Sequence, residues 1–295
     1  MKRAFATFAI IGLLSPSSFA FAETEWAQVD AVIGKKAAVA GTVHRYGLPR
    51  SDLRVTVDGV NIKPGLALGG WTAFEPTEHA AMMMGDLVLT ETEVNPVMRS
   101  LLANGIEVTA VHNHLLRASP AIFYMHISAH GDPVKLAKAV REALAETKIP
   151  FEPSAAPAGD PAKISFDTTQ VEQALGFQGK NNGGVYQFSI PKADAIRADG
   201  AAVAPAMGVA NAINFQPTGE GKAAITGDFV ATAEEVEALL KTLQSHGIEV
   251  TALHNHMLGD EPRLFFVHFW ANDDAVKLAH GLRAALDAVH VAARS

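Results

Sequence analysis

The 295-residue chain contains no cysteine. That excludes disulfide staples, thiolate metal ligands, a cysteine nucleophile and acylation of an N-terminal cysteine, so stability must come from an apolar core. Positive charge is also scarce, with 24 Lys and Arg against 31 Asp and Glu and a net charge of -7. The basic residues are scattered, which leaves no nucleic-acid footprint. Catalytic motifs of the commoner kinds are missing too. There is no His-Glu-x-x-His helix, no Gly-x-Ser-x-Gly elbow and no phosphate-cradling glycine loop. After the first residues no apolar run is long enough to span a membrane.

The N-terminus reads as an export signal. Lys2 and Arg3 give a positive start, Ala4 to Leu14 a short apolar run, and Ala20-Phe21-Ala22 a small-x-small site, with cleavage expected after Ala22. The expected location is therefore the periplasm or the cell exterior.

What the chain has in abundance is internal repetition. Residues 106–116 read Ile-Glu-Val-Thr-Ala-Val-His-Asn-His-Leu-Leu, and residues 248–258 read Ile-Glu-Val-Thr-Ala-Leu-His-Asn-His-Met-Leu. A third histidine follows each at the same distance, giving His112, His114, His126 and His254, His256, His268 at a constant offset of 142 residues. Other landmarks repeat with it: Gly34 with Gly176, Pro49 with Pro191, Asp52 with Asp194, Gly85-Asp86 with Gly227-Asp228, Gly105 with Gly247. Two copies point to a pseudo-twofold pair and not to a solenoid, which needs at least three.

Within one copy, Asp52 to Ile62 alternates around an Asp58-Gly59 turn, as a hairpin does. Leu66 to Phe74 and His79 to Leu89 read as strands. Thr90 with Glu93 forms a capping-box signature for a helix carrying Val94, Val97, Leu101 and Leu102 and ending at Asn104-Gly105. Pro96 is placed in its first turn. A hairpin follows, with Ser119-Pro120 in its turn, and then a helix opened by Asp132-Pro133. The expected fold is α+β, with two duplicated units of hairpin, strand, helix, hairpin and helix. The expected boundaries are 1–22 for the signal, 23–149 for the first repeat, 150–165 for a Pro/Ala-rich linker and 166–295 for the second repeat.

Side chains alternate faces along a strand, so Ile106, Val108, Ala110, His112 and His114 should share one face. The returning strand should present Ile122, Tyr124 and His126 beside it, provided no bulge turns His126 away. Three neutral imidazoles around an open position suit zinc first and copper second. His79 is a further candidate ligand of the first copy. Met82, Met83 and Met84 read as core, although a thioether ligand would favour copper. The simplest bland reading of the triplets is a hydrogen-bond network preserved twice. The Gly85-Asp86 and Gly227-Asp228 pairs are either carboxylates that orient imidazoles or turn residues. Asn113 and Asn255 face away from the histidines and suit pinning the hairpin.

Three functions fit. The first is an exported soluble protein that binds a divalent transition metal. The second is a metal-dependent hydrolase, with Glu75, Glu78 or Glu220 as candidate base for a metal-bound water. The third is a module that captures a small anionic ligand. In each case the partner is a metal ion or small molecule.

The segments Gly85-Asp-Leu-Val-Leu, Gly105-Ile-Glu-Val-Thr-Ala-Val-His-Asn-His-Leu-Leu and Leu253-His-Asn-His-Met-Leu, with Glu261-Pro-Arg-Leu-Phe-Phe-Val-His-Phe-Trp-Ala-Asn-Asp, resemble the LppY/LpqO family. That family is named after mycobacterial lipoproteins and is catalogued as a domain of unknown function. The resemblance implies an exported bacterial protein and brings no activity with it. The chain departs from the lipoprotein members in having no cysteine to acylate.

Overall fold

A computed structural model describes residues 17–78, 80–151 and 162–292, with side chains from Glu25 onward. The expected signal up to residue 16, His79 and most of the expected linker lie outside the described residues.

The first half runs α1 (Ser17–Ile33), β1 (Ala38–Ala40), β2 (Val43–Pro49), β3 (Val55–Val57), β4 (Val60–Ile62), α2 (Pro64–Ala67), β5 (Gly69–Pro76) and β6 (Ala81–Thr90). It continues with α3 (Glu91–Ala103), β7 (Glu107–His112), β8 (Ile122–Gly131) and α4 (Pro133–Leu144). The second half runs α5 (Thr168–Leu175), β9 (Lys180–Asn182), β10 (Val185–Pro191), β11 (Arg197–Ala198), β12 (Ala201–Ala202), β13 (Ala210–Gly219) and β14 (Lys222–Thr232). It ends with α6 (Ala233–Ser245), β15 (Glu249–His254), β16 (Asp260–Glu261), β17 (Leu264–Asp274) and α7 (Ala275–Leu286). Helix α1 runs through the expected cleavage point at Ala22.

Each half forms a six-stranded sheet, in the order β1-β2-β5-β6-β8-β7 and, equivalently, β9-β10-β13-β14-β17-β15. Every strand pairing is antiparallel. The fold is thus α+β with two similar units, as the repeats implied.

The central strands explain how the halves are layered. Strand β6 is buried along nearly its whole length, so it reads as the continuous apolar run of a strand covered on both faces. One face packs on its own helices. Met83, Leu87 and Leu89 meet Val97 and Leu101 of α3 and Leu136 and Val140 of α4. The other face packs on the opposite half. Met82, Met84 and Trp71 sit with Val230, Met257 and Phe266, while Tyr124 and Leu68 sit with Ala224 and Trp270. The sheets therefore face each other and the helices lie outside, which confirms the core assignment for the three methionines.

Local chemistry sets the ends. Thr90 with Glu93 and Thr232 with Glu235 close capping boxes at α3 and α6, and Asp132 and Asp274 cap α4 and α7 through Lys135 N and Lys277 N. Gly105 and Gly247 follow α3 and α6 at φ 74° and 71°, where a side chain would be strained. The Asp58-Gly59 turn joins β3 and β4 as expected.

Three local expectations need correcting. Leu66 belongs to the short helix α2, and the strand starts only at Gly69, because Pro64 opens a helical turn. Pro96 lies inside α3, one turn later than expected, since the capping box sets the first helical residue at Glu91. Leu102 is exposed (56%), and Met98 packs on the core instead.

Candidate metal centre

Strand β7 is not regular. Its register with β8 shifts between Val108 and Ala110, so that Val108 faces Ile127, Ala110 faces His126 and His112 faces Tyr124. Thr109 is the extra residue of a bulge. The expectation of one unbroken face from Ile106 to His114 is therefore wrong: Val108 packs on the helix side with Ile127, while Ala110 and His112 share the inter-half face with His126. The physical role of the bulge is the reverse of the one feared. Were Thr109 paired regularly, with no bulge, His112 would stand opposite Phe123 and point at the helices. Strand β15 repeats the device, with its shift between Val250 and Ala252 and Thr251 as the extra residue.

The bulged threonines also join the halves. Thr109 Oγ1 donates to the carbonyl of His256 at 2.6 Å, and Thr251 Oγ1 donates to the carbonyl of His114 at 2.6 Å. Asn255 Nδ2 donates to Thr109 O at 3.2 Å and to Met257 O at 2.9 Å, so it pins its own turn onto the other half's bulge.

The result is one cluster of imidazoles and not two separated triplets. Ring centroids of His112 and His254 lie 3.6 Å apart, those of His114 and His268 3.7 Å, and those of His126 and His256 3.8 Å. Each of these pairs takes one ring from each half. Nitrogens of His112, His114 and His126 come within 4.8 Å of one another, as do those of His112, His254 and His268 and those of His126, His254 and His256. Ligands around a tetrahedral ion with bonds of about 2.1 Å stand about 3.4 Å apart, a small rotamer adjustment away. Buried histidine groups are thus positioned to hold a metal ion. His114 stacks on Tyr124 and His256 on Phe266, each at 3.3 Å, which fixes equivalent rings on equivalent aromatic platforms.

Proton positions follow from the hydrogen bonds. His268 Nδ1 lies 2.7 Å from Gly227 O and His256 Nδ1 lies 3.2 Å from Gly208 O. A carbonyl can only accept, so Nδ1 carries the proton and Nε2 turns its lone pair into the cluster. There Nε2 of His256 is 3.3 Å from Asp228 Oδ2, Nε2 of His268 is 3.9 Å from Asp228 Oδ1, and Nε2 of His114 is 3.7 Å from Asp86 Oδ2. Lone pairs facing carboxylate oxygens repel unless a proton or a cation sits between them.

Burial decides the charge state. It lowers the pKa of His256 to about 3 and of His268 to about 4, and that of His112 to about 3 with help from His256. His114, His126 and His254 are pushed down by burial and by neighbouring imidazoles. Burial raises Asp228 to about 6 and, with repulsion from Asp228, raises Asp86 well above the usual carboxylate range. Neutral imidazoles are ligands, and they are poor catchers of anions.

The cluster leaves polar atoms stranded. Both nitrogens of His112 and of His254, and Nε2 of His114, His126, His256 and His268, are buried without a hydrogen-bond partner, as are Asp86 Oδ1 and Asp228 Oδ1. Buried polar groups are otherwise nearly always paired. A hydrogen-bond network preserved twice, the bland reading, does not describe these atoms.

The Gly-Asp pairs sit in mid-strand, opposite Ile127 and His126 in β8 and Phe269 and His268 in β17. They are not turn residues. A Cβ on Gly227 would lie 1.9 Å from Ala212 O, so glycine is required there by the approach of the neighbouring strand. The carboxylates expected as bases lie elsewhere. Glu75 pairs with Met82, four residues along β6 from Asp86, or about 13 Å. It accepts from Thr42 Oγ1 and Ala204 N. Glu220 is an exposed turn residue before Lys222, six residues or about 20 Å along β14 from Asp228. Glu78 is exposed, near the end of the loop between β5 and β6.

One buried network escaped the sequence reading. Arg50, fully buried, binds Glu93 at 2.7 Å and Asp52 at 2.9 Å, and Lys192 at the equivalent position binds Glu235 at 2.7 Å and Asp194 at 3.1 Å. The legible signal was a basic residue just ahead of each repeated aspartate.

Fold and site together define a duplicated α+β protein with a histidine cluster assembled between its halves. The family model described as Domain of Unknown Function (DUF1259) matches residues 27–146 and again 169–288, and the chain belongs to that family. No curated protein sequence matches it. Solved structures similar to it include the trimeric bacterial microcompartment shell protein PduB, at 12% identity over 85% of this chain and 89% of that one, with a TM-score of 0.20. EtuB from Clostridium kluyveri is similar at 10% identity over 85% and 90%, also with a TM-score of 0.20. At that score neither bears on function.

Proposed function

We propose that this is an exported, soluble protein that binds a divalent transition metal, zinc first and copper second, at the cluster of His112, His114, His126, His254, His256 and His268. The observation that carries the reading is the convergence of buried imidazole nitrogens that have no hydrogen-bond partner. Half-buried His112, His114 and His254 leave an approach from solvent, while His126, His256 and His268 are buried. Burial keeps the rings neutral, as a metal requires. Nitrogen and carboxylate donors without thiolate or thioether favour zinc, since the three methionines are taken up in the cores. Export is supported by the charged and then apolar N-terminus. Among the described residues no helix is long and apolar enough to cross a membrane. Kinship with the LppY/LpqO lipoproteins is part of the same proposal.

A hydrolytic role for the bound ion would have to use Asp86 or Asp228 as its base, because those are the carboxylates in contact with the imidazoles. The test of the proposal is elemental analysis of tag-free protein, repeated for a His254→Ala/His256→Ala variant. Metal is expected in the first and lost in the second. Native protein that is metal-free and takes up no zinc, copper, nickel or iron on dialysis would refute it.

A further inference from the structure

Six histidines are more than one tetrahedral ion can use. An ion held by any three of them would leave the other three rings with buried, unpartnered nitrogens, which is the condition that the ion was invoked to relieve. Two ions would engage all six. The question is how the ligands divide.

Division within each half is the arrangement the repeats suggest, with His112, His114 and His126 on one ion and His254, His256 and His268 on the other. Nitrogens of His112, His114 and His126 fall within 4.8 Å of one another and those of His254, His256 and His268 do not; a crossed division likewise gathers the nitrogens of one set, His126, His254 and His256, and not those of the other, His112, His114 and His268. Ring spacing favours division across the halves, because each crossed triad has all three of its rings within 5.5 Å of one another. The rings of His126, His254 and His256 are separated by 3.8, 5.1 and 5.4 Å. Their counterparts His268, His112 and His114 are separated by 3.7, 5.0 and 5.5 Å. The two crossed triads are the same size within about 0.1 Å, and the nitrogens of the first lie within 4.8 Å of one another. The backbone is held for this exchange, since Thr109 grips the carbonyl of His256 and Thr251 grips that of His114. Each His-Asn-His turn is seated on the other half's bulge, next to the other half's third histidine.

A carboxylate stands ready at each triad. Asp228 is 3.3 Å from His256 Nε2, with its other oxygen 3.9 Å from His268 Nε2 of the second triad, and Asp86 is 3.7 Å from His114 Nε2. Each has one oxygen buried and unpartnered. Three imidazoles and one carboxylate make a complete tetrahedral set for zinc or cobalt.

We propose that the cluster is a dinuclear centre with crossed ligation. His126, His254 and His256 hold one divalent ion beside Asp228, and His112, His114 and His268 hold the second beside Asp86. This rests on the metal-binding reading above and adds the number of ions and the partition of ligands.

Metal-stripped, tag-free full-length protein should be titrated with cobalt(II) alone, following the visible bands of tetrahedral cobalt and the bound metal per chain. Two cobalt ions per chain are expected. One per chain would overturn the dinuclear inference and leave the metal-binding reading standing. None would overturn both. The partition is read from double variants of unchanged circular dichroism. His126→Asn/His256→Asn removes ligands from one crossed triad and should retain one cobalt per chain. His126→Asn/His114→Asn takes one ligand from each triad and should lose both bands, with affinity down at least 100-fold at each ion. The opposite pattern, with the second variant retaining an ion and the first losing both, would show ligation within each half and refute the crossing. Should a variant fail to fold, the native stoichiometry still decides the number of ions.

Discussion

Stripping the metal and lowering the pH should unfold this protein unusually early, and the structure sets the steepness. A histidine held neutral by burial has a folded pKa below its unfolded value of about 6.5. Between those values the unfolded chain binds a proton that the folded one refuses, so stability falls as pH falls. All six cluster histidines are shifted that way, His268 to about 4 and His112 and His256 to about 3. Asp86 and Asp228 work in the opposite sense. Asp228, raised to about 6, binds a proton in the folded state that the unfolded state refuses until about pH 4, which adds stability as pH falls. Six against two leaves a net uptake of about four protons on unfolding. At 1.4 kcal/mol per proton this is roughly 6 kcal/mol per pH unit below pH 6. A stability of about 5–15 kcal/mol would be exhausted within about one to three units. The assay is urea denaturation from pH 8 to 5, read by the fluorescence of buried Trp71 and Trp270. The midpoint for the metal-free protein should collapse between pH 6 and 5, and zinc should raise it at pH 7 far more than at pH 5. A midpoint that is flat from pH 7 to 5 would refute the picture of buried neutral imidazoles.

The remaining predictions concern the supports of the cluster. Thr109→Val, nearly isosteric, should leave the His256 carbonyl unpaired and cost about 1–2 kcal/mol in the same denaturation assay. If each triad is built across the halves, this change should also weaken zinc binding measured by calorimetry. Arg50→Met strands the buried Glu93 carboxylate and should cost about 3–5 kcal/mol, whereas Arg50→Met/Glu93→Gln should cost less than the sum of its parts in a double-mutant cycle. Gly227→Ala drives a methyl into Ala212 O and should destabilise by at least about 3 kcal/mol, whereas Gly47→Ala, with open space around it and no left-handed backbone, should be far milder.

The duplication, the capped helices, the α+β class and the six histidines were legible because they rest on local chemistry and on spacing. Thr90 and Glu93 announce a helix start whatever surrounds them, and an offset of 142 residues survives any change of surface. The bulge was not legible. Thr109 looks like one more residue of an alternating strand, and only its contact with His256 in the other half distinguishes it. The joining of the triplets into one cluster was hidden for the same reason, because it depends on which faces of the two sheets meet. Asp86 and Asp228 were half-visible. The glycine beside each suggested a turn, whereas it serves the close passage of a neighbouring strand and leaves the aspartate facing the imidazoles.

The reciprocal bonds of Thr109 and Thr251 are the contact pattern of an isologous dimer, in which residue i of one copy touches residue j of the other and the reverse. Here that pattern is written into a single chain. Two separate copies of such a repeat would have to find each other in solution to assemble the same imidazole cluster. Carried in one chain, the pairing is independent of concentration, and a change at either His-Asn-His turn reaches the bulge of the other half.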